Sequence, residues 1–147
     1  LIFEKINGYK DGSFFTPSFI TMYMCREAIQ KKIIQKFNQE FTITCDTLQD
    51  LKNYTGRHFK AEDILKFNAV IDDLKICDPA VGSGHFLVSA LNEILYIKAE
   101  LGILADDQGG PLEGYEVKLE NDELILTHSD NTEIFEYKNN DDIHVVK

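Results

Sequence analysis

At 147 residues, with 44% apolar and 27% charged content, the chain has the size and make-up of a single globular domain. No run approaches the roughly 18 apolar residues that a membrane span needs, and no basic-then-apolar N-terminus marks a signal peptide. The net charge of −10 is uneven: residues 1–103 hold 12 Lys/Arg against 13 Asp/Glu, whereas residues 104–147 hold three lysines against 12 acids. That second segment repels phosphate and is a poor nucleic-acid surface.

Three widely spaced cysteines, Cys25, Cys45 and Cys77, suit reduced thiols and a cytoplasmic location rather than a disulfide framework or a zinc site. Cys77 reads as a small apolar residue at a strand end. The chain starts at Leu1 without a methionine and stops after the apolar patch 143–146, so it reads as a piece of a larger protein.

In chain order, residues 8–17 (GYKDGSFFTP) form a glycine-punctuated loop ending in Thr16–Pro17, an N-cap followed by the residue favoured at the first helical position. The spacing predicts a helix from about Pro17 to Phe37, with Phe19, Ile20, Tyr23, Met24, Ala28, Ile29, Ile33 and Phe37 as its apolar set. Arg26, Lys31, Lys32 and Lys36 fill its other faces as a solvated basic surface. Asp46 is placed to cap a shorter helix to about Tyr54, which Gly56 breaks. A third helix is expected over 61–74, with Ile64, Leu65, Phe67, Ala69, Val70 and Ile71 as its apolar set. A short strand is expected at 75–78.

Next comes the stretch that organises the chain. Asp78 closes the expected strand, Pro79–Gly84 form a small-residue turn, and Phe86, Leu87, Ala90, Leu91, Ile94 and Leu95 repeat at helical spacing to about Leu101. Such a turn aims unpaired backbone N–H groups at a ligand and lets it approach the main chain closely. Beyond Gly102 the period changes to two. Tyr115, Val117 and Leu119 alternate with charged residues, and Leu124–Leu126 and Ile134–Tyr137 follow turn signals, predicting an antiparallel β meander with acidic exposed faces.

The turn departs from the dinucleotide fingerprint G-x-G-x-x-G, because Leu87 stands three residues after Gly84. It also departs from a P-loop, because His85–Phe86 replace the Lys-Ser/Thr pair. A nucleotide pyrophosphate is therefore not the expected ligand. His58, His128 and His144 are scattered without metal spacing, so no metal site is expected. His85 reads as a variable helix-start residue.

DPAVGSGHFLV at 78–88 resembles motif I of the S-adenosylmethionine-dependent DNA methyltransferases that modify the N6 amine of adenine, usually DPAxGSGxFL. GSFFTP at 12–17 is similar to their motif X, which lies upstream in this order. The acidic meander is similar to an insertion in the large fused restriction–modification enzymes of type IIG. The resemblance implies an α/β chain in which N-terminal helices lead into the first strand–turn–helix of a Rossmann-like methyltransferase fold, followed by the meander, as an incomplete domain. Its two parts would be residues 1–103 and 104–147.

The cofactor implied is S-adenosylmethionine. Asp78 matches the acid that meets the methionine ammonium. Ala80, Gly82 and Gly84 match turn positions along the methionine and ribose. Thr16 and Pro17 match the pair that helps hold the methionine carboxylate, with Phe14 flanking the same pocket and Phe86 packing under the turn. Physical chemistry agrees: a zwitterion needs an anion for its ammonium and donors for its carboxylate. Double-stranded DNA would be met through the larger protein rather than this acidic piece.

Catalytic residues are missing. Pro17, Pro79 and Pro111 are the three prolines, and none lies in the [DNS]-P-P-[YFW] motif that grips the target amine in that family. No strand precedes Asp106 to offer the ribose-binding acid. The piece alone is expected to be inactive. The rival expectation is a non-catalytic interaction module whose acidic meander docks a protein, with a purely structural glycine turn.

Overall fold

The computed structural model describes residues 16–58, 60–106, 108–112, 114–120 and 123–128. Four helices precede one hairpin: α1 (Ser18–Phe41), α2 (Leu48–Thr55), α3 (Ala61–Asp72), α4 (His85–Glu100), β1 (Tyr115–Glu120) and β2 (Glu123–His128). The architecture is mixed, mostly helical with a small two-stranded antiparallel sheet.

α1 starts one residue later and ends four residues later than its spacing predicts. Pro17 occupies the flanking position and no side chain caps the helix, so Thr16 is not an N-cap here. The extra C-terminal turn brings Phe41 into an aromatic cluster with Phe37, Tyr54 and Phe67, at centroid separations of 5.4, 6.1 and 5.2 Å. Thr42 then stops the helix in the left-handed region at φ 52°. Asn38 locks the turn by donating to Cys45 O and accepting from Cys45 N, both at 2.9 Å.

Thr47, not Asp46, caps α2. Its hydroxyl accepts from Asp50 N at 3.1 Å while Asp50 Oδ2 accepts from Thr47 N at 2.9 Å, a reciprocal capping box. The Thr47 hydroxyl and N–H hold the Asp50 carboxyl below its ordinary pKa. Gly56 ends the helix as expected.

One apolar cluster unites the four helices and the segment after α4. α1 and α4 lie parallel. Cys25 meets Phe86, Gln30 meets Glu93, and Lys36 and Lys98 reach the adjacent carboxylates Asp73 and Asp72, each at 2.6 Å. At the far end Thr55 donates to Leu101 O at 2.8 Å, so both C-termini sit against α2. The shared end carries the buried Phe37, Leu51, Phe67 and Ile71.

Two expectations fail in this region. Phe19, Ile20, Tyr23 and Met24 are exposed, because α1 turns Thr21, Cys25, Ile29, Ile33 and Phe37 inward instead. Helical spacing alone allowed either stripe; the position of α4 selects one. Residues 75–78 are not a strand, because no described segment supplies ladder hydrogen bonds to them. A Rossmann-like sheet is therefore not present among the described residues.

After α4, Asn68 donates to Ile103 O at 2.7 Å, and Asp106 Oδ1 closes the next loop by accepting from Gln108 N and Gly110 N. The hairpin pairs Tyr115 with His128 through Glu120 with Glu123 in antiparallel register; the expected turn at 121–122 lies outside the described residues. Tyr115, Val117 and Leu119 are half-buried and Glu116, Lys118 and Glu120 exposed, following the period of two. The third expected strand, Ile134–Tyr137, lies outside the described residues.

Candidate functional site

Glycine chemistry builds the turn between α3 and α4. Gly82 and Gly84 adopt φ of 50° and 80°, a region that side-chain-bearing residues enter only with strain. Gly84 N donates to Val81 O at 2.7 Å, and Val88 N to Gly84 O at 3.0 Å, so the turn passes directly into α4. The first N–H groups of α4 lack intrahelical acceptors and face the turn, with the positive end of the helix dipole behind them.

Asp78 completes this arrangement. Its Oδ1 accepts from Ala80 N at 3.0 Å, which pins the carboxylate to its own turn. Its Oδ2 is buried and has no hydrogen-bond partner among the described residues. A buried carboxylate oxygen without a donor is costly, and such an exception calls for an explanation in the site's chemistry. An ammonium or hydroxyl donor would satisfy it.

Beside Asp78 lies a groove of about 480 Å³ between α1, the 74–79 segment and α4. Met24, Ala28, Ile29, Leu74, Phe86 and Ala90 give it an apolar lining, with Lys32 and Lys75 among its charged neighbours. Cys77 also lines it and is exposed, so it is not the covered strand-end residue its neighbours in sequence suggest.

Of the residues singled out in the sequence, Asp78, Ala80, Gly82 and Gly84 come together at the turn. Thr16 and Pro17 stand at the same end of the molecule because α1 and α4 are parallel. They do not line the groove, and Pro17 lies about 12 Å up the α1 axis from Cys25, the residue level with Phe86. Phe14 lies outside the described residues. Phe86 is half-buried under the turn, with its carbonyl 3.6 Å from Cys25 Sγ. Asp106 is occupied by its own loop. Among the described residues no group of three or more His, Cys, Asp or Glu is arranged to hold a metal ion. Likewise, no described helix is long and apolar enough to cross a membrane.

Residue-by-residue reading of the sequence passed over Glu93. It is 3% exposed, accepts from Gln30 Nε2 at 3.0 Å, and forms part of a second groove of about 560 Å³ between α1, α4 and β1. Burial pushes its carboxyl above the ordinary glutamate pKa, against the opposing influence of Gln30 and the Arg26 guanidinium. The signal was available: Glu93 falls between Ala90 and Ile97 on the inward stripe of α4.

Comparison with known proteins places these observations in context. No family model and no solved structure matches the chain. A protein of Methanocaldococcus jannaschii named "Putative type II restriction enzyme and methyltransferase" is 34% identical over 104 residues, which is 66% of this chain and 9% of that protein. The matched stretch is thus less than a tenth of a much longer polypeptide. The chain is similar to part of a protein whose name couples restriction to methyl transfer.

Proposed function

We propose that this chain is the cofactor-binding part of an S-adenosylmethionine-dependent DNA methyltransferase of a restriction–modification system, acting in its longer protein on the N6 amine of adenine. The observation that carries the reading is the buried Oδ2 of Asp78, without a donor among the described residues, beside a positive-φ glycine turn. The similarity to a protein named as restriction enzyme and methyltransferase supports the reaction class, and the motif resemblance supports adenine as target.

Asp78 Oδ2 takes the cofactor's ammonium, and the N–H groups at the head of α4 face its carboxylate. Ala80, Gly82 and Gly84 let the ligand lie against the main chain. The motif resemblance assigns Thr16 and Pro17, at the head of α1 on the same side of the molecule as the turn, to the methionine carboxylate, together with Phe14. The bound cofactor supplies a methyl group on a positively charged sulfonium. This chain's residues hold and orient that ligand; no residue here is assigned to the target amine. A base read in duplex DNA would have to be flipped out to reach the methyl, a task for the rest of the protein.

Calorimetric titration of S-adenosylmethionine and its demethylated product into the full-length protein tests the reading. Binding of both is expected, and Asp78→Ala should weaken it about 10–100-fold through loss of a charge-assisted hydrogen bond, with the thermal midpoint little changed. Absence of binding by the full-length wild type overturns the cofactor reading. Unchanged affinity in Asp78→Ala overturns the role of Asp78.

A further inference from the structure

α1 carries Thr16–Pro17 at its head and α4 begins at the glycine turn. Whatever fixes the two helices along their axes therefore fixes the spacing between the two halves of the candidate site. Apolar packing alone does this weakly, because side chains four residues apart follow one another on the same helix face and offer similar contacts after a slide of one turn. A buried hydrogen bond tolerates no such slide, since a displaced partner leaves a polar group unsatisfied in a low-dielectric interface.

Two side-chain hydrogen bonds join α1 and α4 among the described residues. One is the long sulfur contact from Cys25 to Phe86 O, at 3.6 Å. The other is Gln30 Nε2 to Glu93 Oε1 at 3.0 Å, with Glu93 between the buried Ala90 and Ile97 on the interface stripe. Moving α1 one turn toward its head would set Ile34 opposite the Glu93 carboxyl and leave it without that donor. The same slide would push Thr16–Pro17 about 5 Å further past the turn. The Lys36–Asp73 and Lys98–Asp72 pairs give less resistance, because lysine side chains are long and adaptable and both carboxylates are exposed.

We propose that the half-buried Gln30 and the buried Glu93 form a polar peg that sets the axial register of α1 on α4, making both positioning residues for the cofactor site. A single buried polar side chain that selects register at an otherwise apolar helix interface has precedent in coiled coils. The functional half of the inference rests on the cofactor reading, whereas the register half rests on geometry alone.

Nitroxide labels on the exposed positions Ser18 and Val88, in a Cys77→Ser background, report the register by pulsed electron resonance. The distance is measured in the wild type, Glu93→Gln, Glu93→Leu and Gln30→Leu, with S-adenosylmethionine titrated into the unlabelled full-length counterparts. Glu93→Gln keeps an acceptor and should hold both the distance and the affinity. The two leucine variants, checked for helix content, should shift or broaden the distance by about 5 Å and weaken binding about tenfold. An unchanged distance in either folded leucine variant overturns the register proposal; if Glu93→Leu does not fold, Gln30→Leu decides. A shifted distance with unchanged affinity overturns the link to the site. A shifted distance when even the wild type binds no cofactor upholds the peg and refutes the cofactor reading.

Discussion

The two ends of the α1–α4 pair use the same kinds of residue in opposite ways. At the C-terminal end, Ile33, Phe37 and Ile97 are sealed against Leu51, Phe67 and Ile71. At the N-terminal end, beside the glycine turn, Phe19 is 70% exposed, Tyr23 65%, Leu91 56% and Val88 53%. One end therefore holds the chain folded, and the other presents apolar surface and, among the described residues, one Asp78 oxygen without a donor next to the candidate site. Stability and ligand chemistry are separated along a single helix pair.

The sharpest way to break this contrast is at the sealed end. Phe67→Ala removes the side chain shared by the Phe37, Phe41 and Tyr54 contacts. It should cost about 3–5 kcal/mol in urea unfolding, a large part of a small domain's total. A loss below about 1 kcal/mol would show that the cluster does not carry the fold.

A smaller effect follows from Glu93. Its folded pKa lies above the ordinary value, so the folded state holds the proton longer than the unfolded chain does. Its contribution to stability is greatest below the unfolded pKa and declines as pH rises from there through the folded pKa. Gln30 and Arg26 from α1 oppose that shift, and Tyr23 and Arg26 from α1, Tyr96 and Glu100 from α4, and Glu116, Lys118 and Glu120 from β1 line the same groove. Urea midpoints of the wild type minus those of Glu93→Gln should fall from pH 4 to pH 8. A flat difference would show that the carboxyl is not held protonated by burial.

Thr47→Ala removes the α2 capping hydroxyl and should lower stability by about 1 kcal/mol. The smallest change belongs to the open end: Leu91→Ser should move the unfolding midpoint by less than about 0.5 kcal/mol, because that side chain is already in water. A loss above 2 kcal/mol there would erase the contrast between the two ends.

The helices, the glycine turn and the hairpin were legible in local pattern. Pro17, Gly56, the DPAVGSG run and the alternation at 115–119 each act over a few residues, where chain sterics and periodicity decide. Failures arose where a local pattern admitted two answers. Asp46 and Thr47 are both cap residues, and only the reciprocal bond to Asp50 separates them. The stripe through Phe19 and Tyr23 competed with that through Thr21 and Cys25, and packing against α4 chose the second. Residues 75–78 have a strand's composition, yet a strand exists only when another segment completes its ladder.

By itself, then, the sequence determined where backbone conformation is dictated locally: a positive-φ turn needs glycines, and an acid was placed directly before it. Tertiary structure alone decided that α1 and α4 run parallel, which brings Thr16–Pro17 to the same end as that turn. It also decided that Asp78 keeps one oxygen buried and without a donor among the described residues, and that Glu93 is enclosed against Gln30. Burial and pairing are properties of segments meeting across about 60 residues of chain, and no window of neighbouring residues contains them.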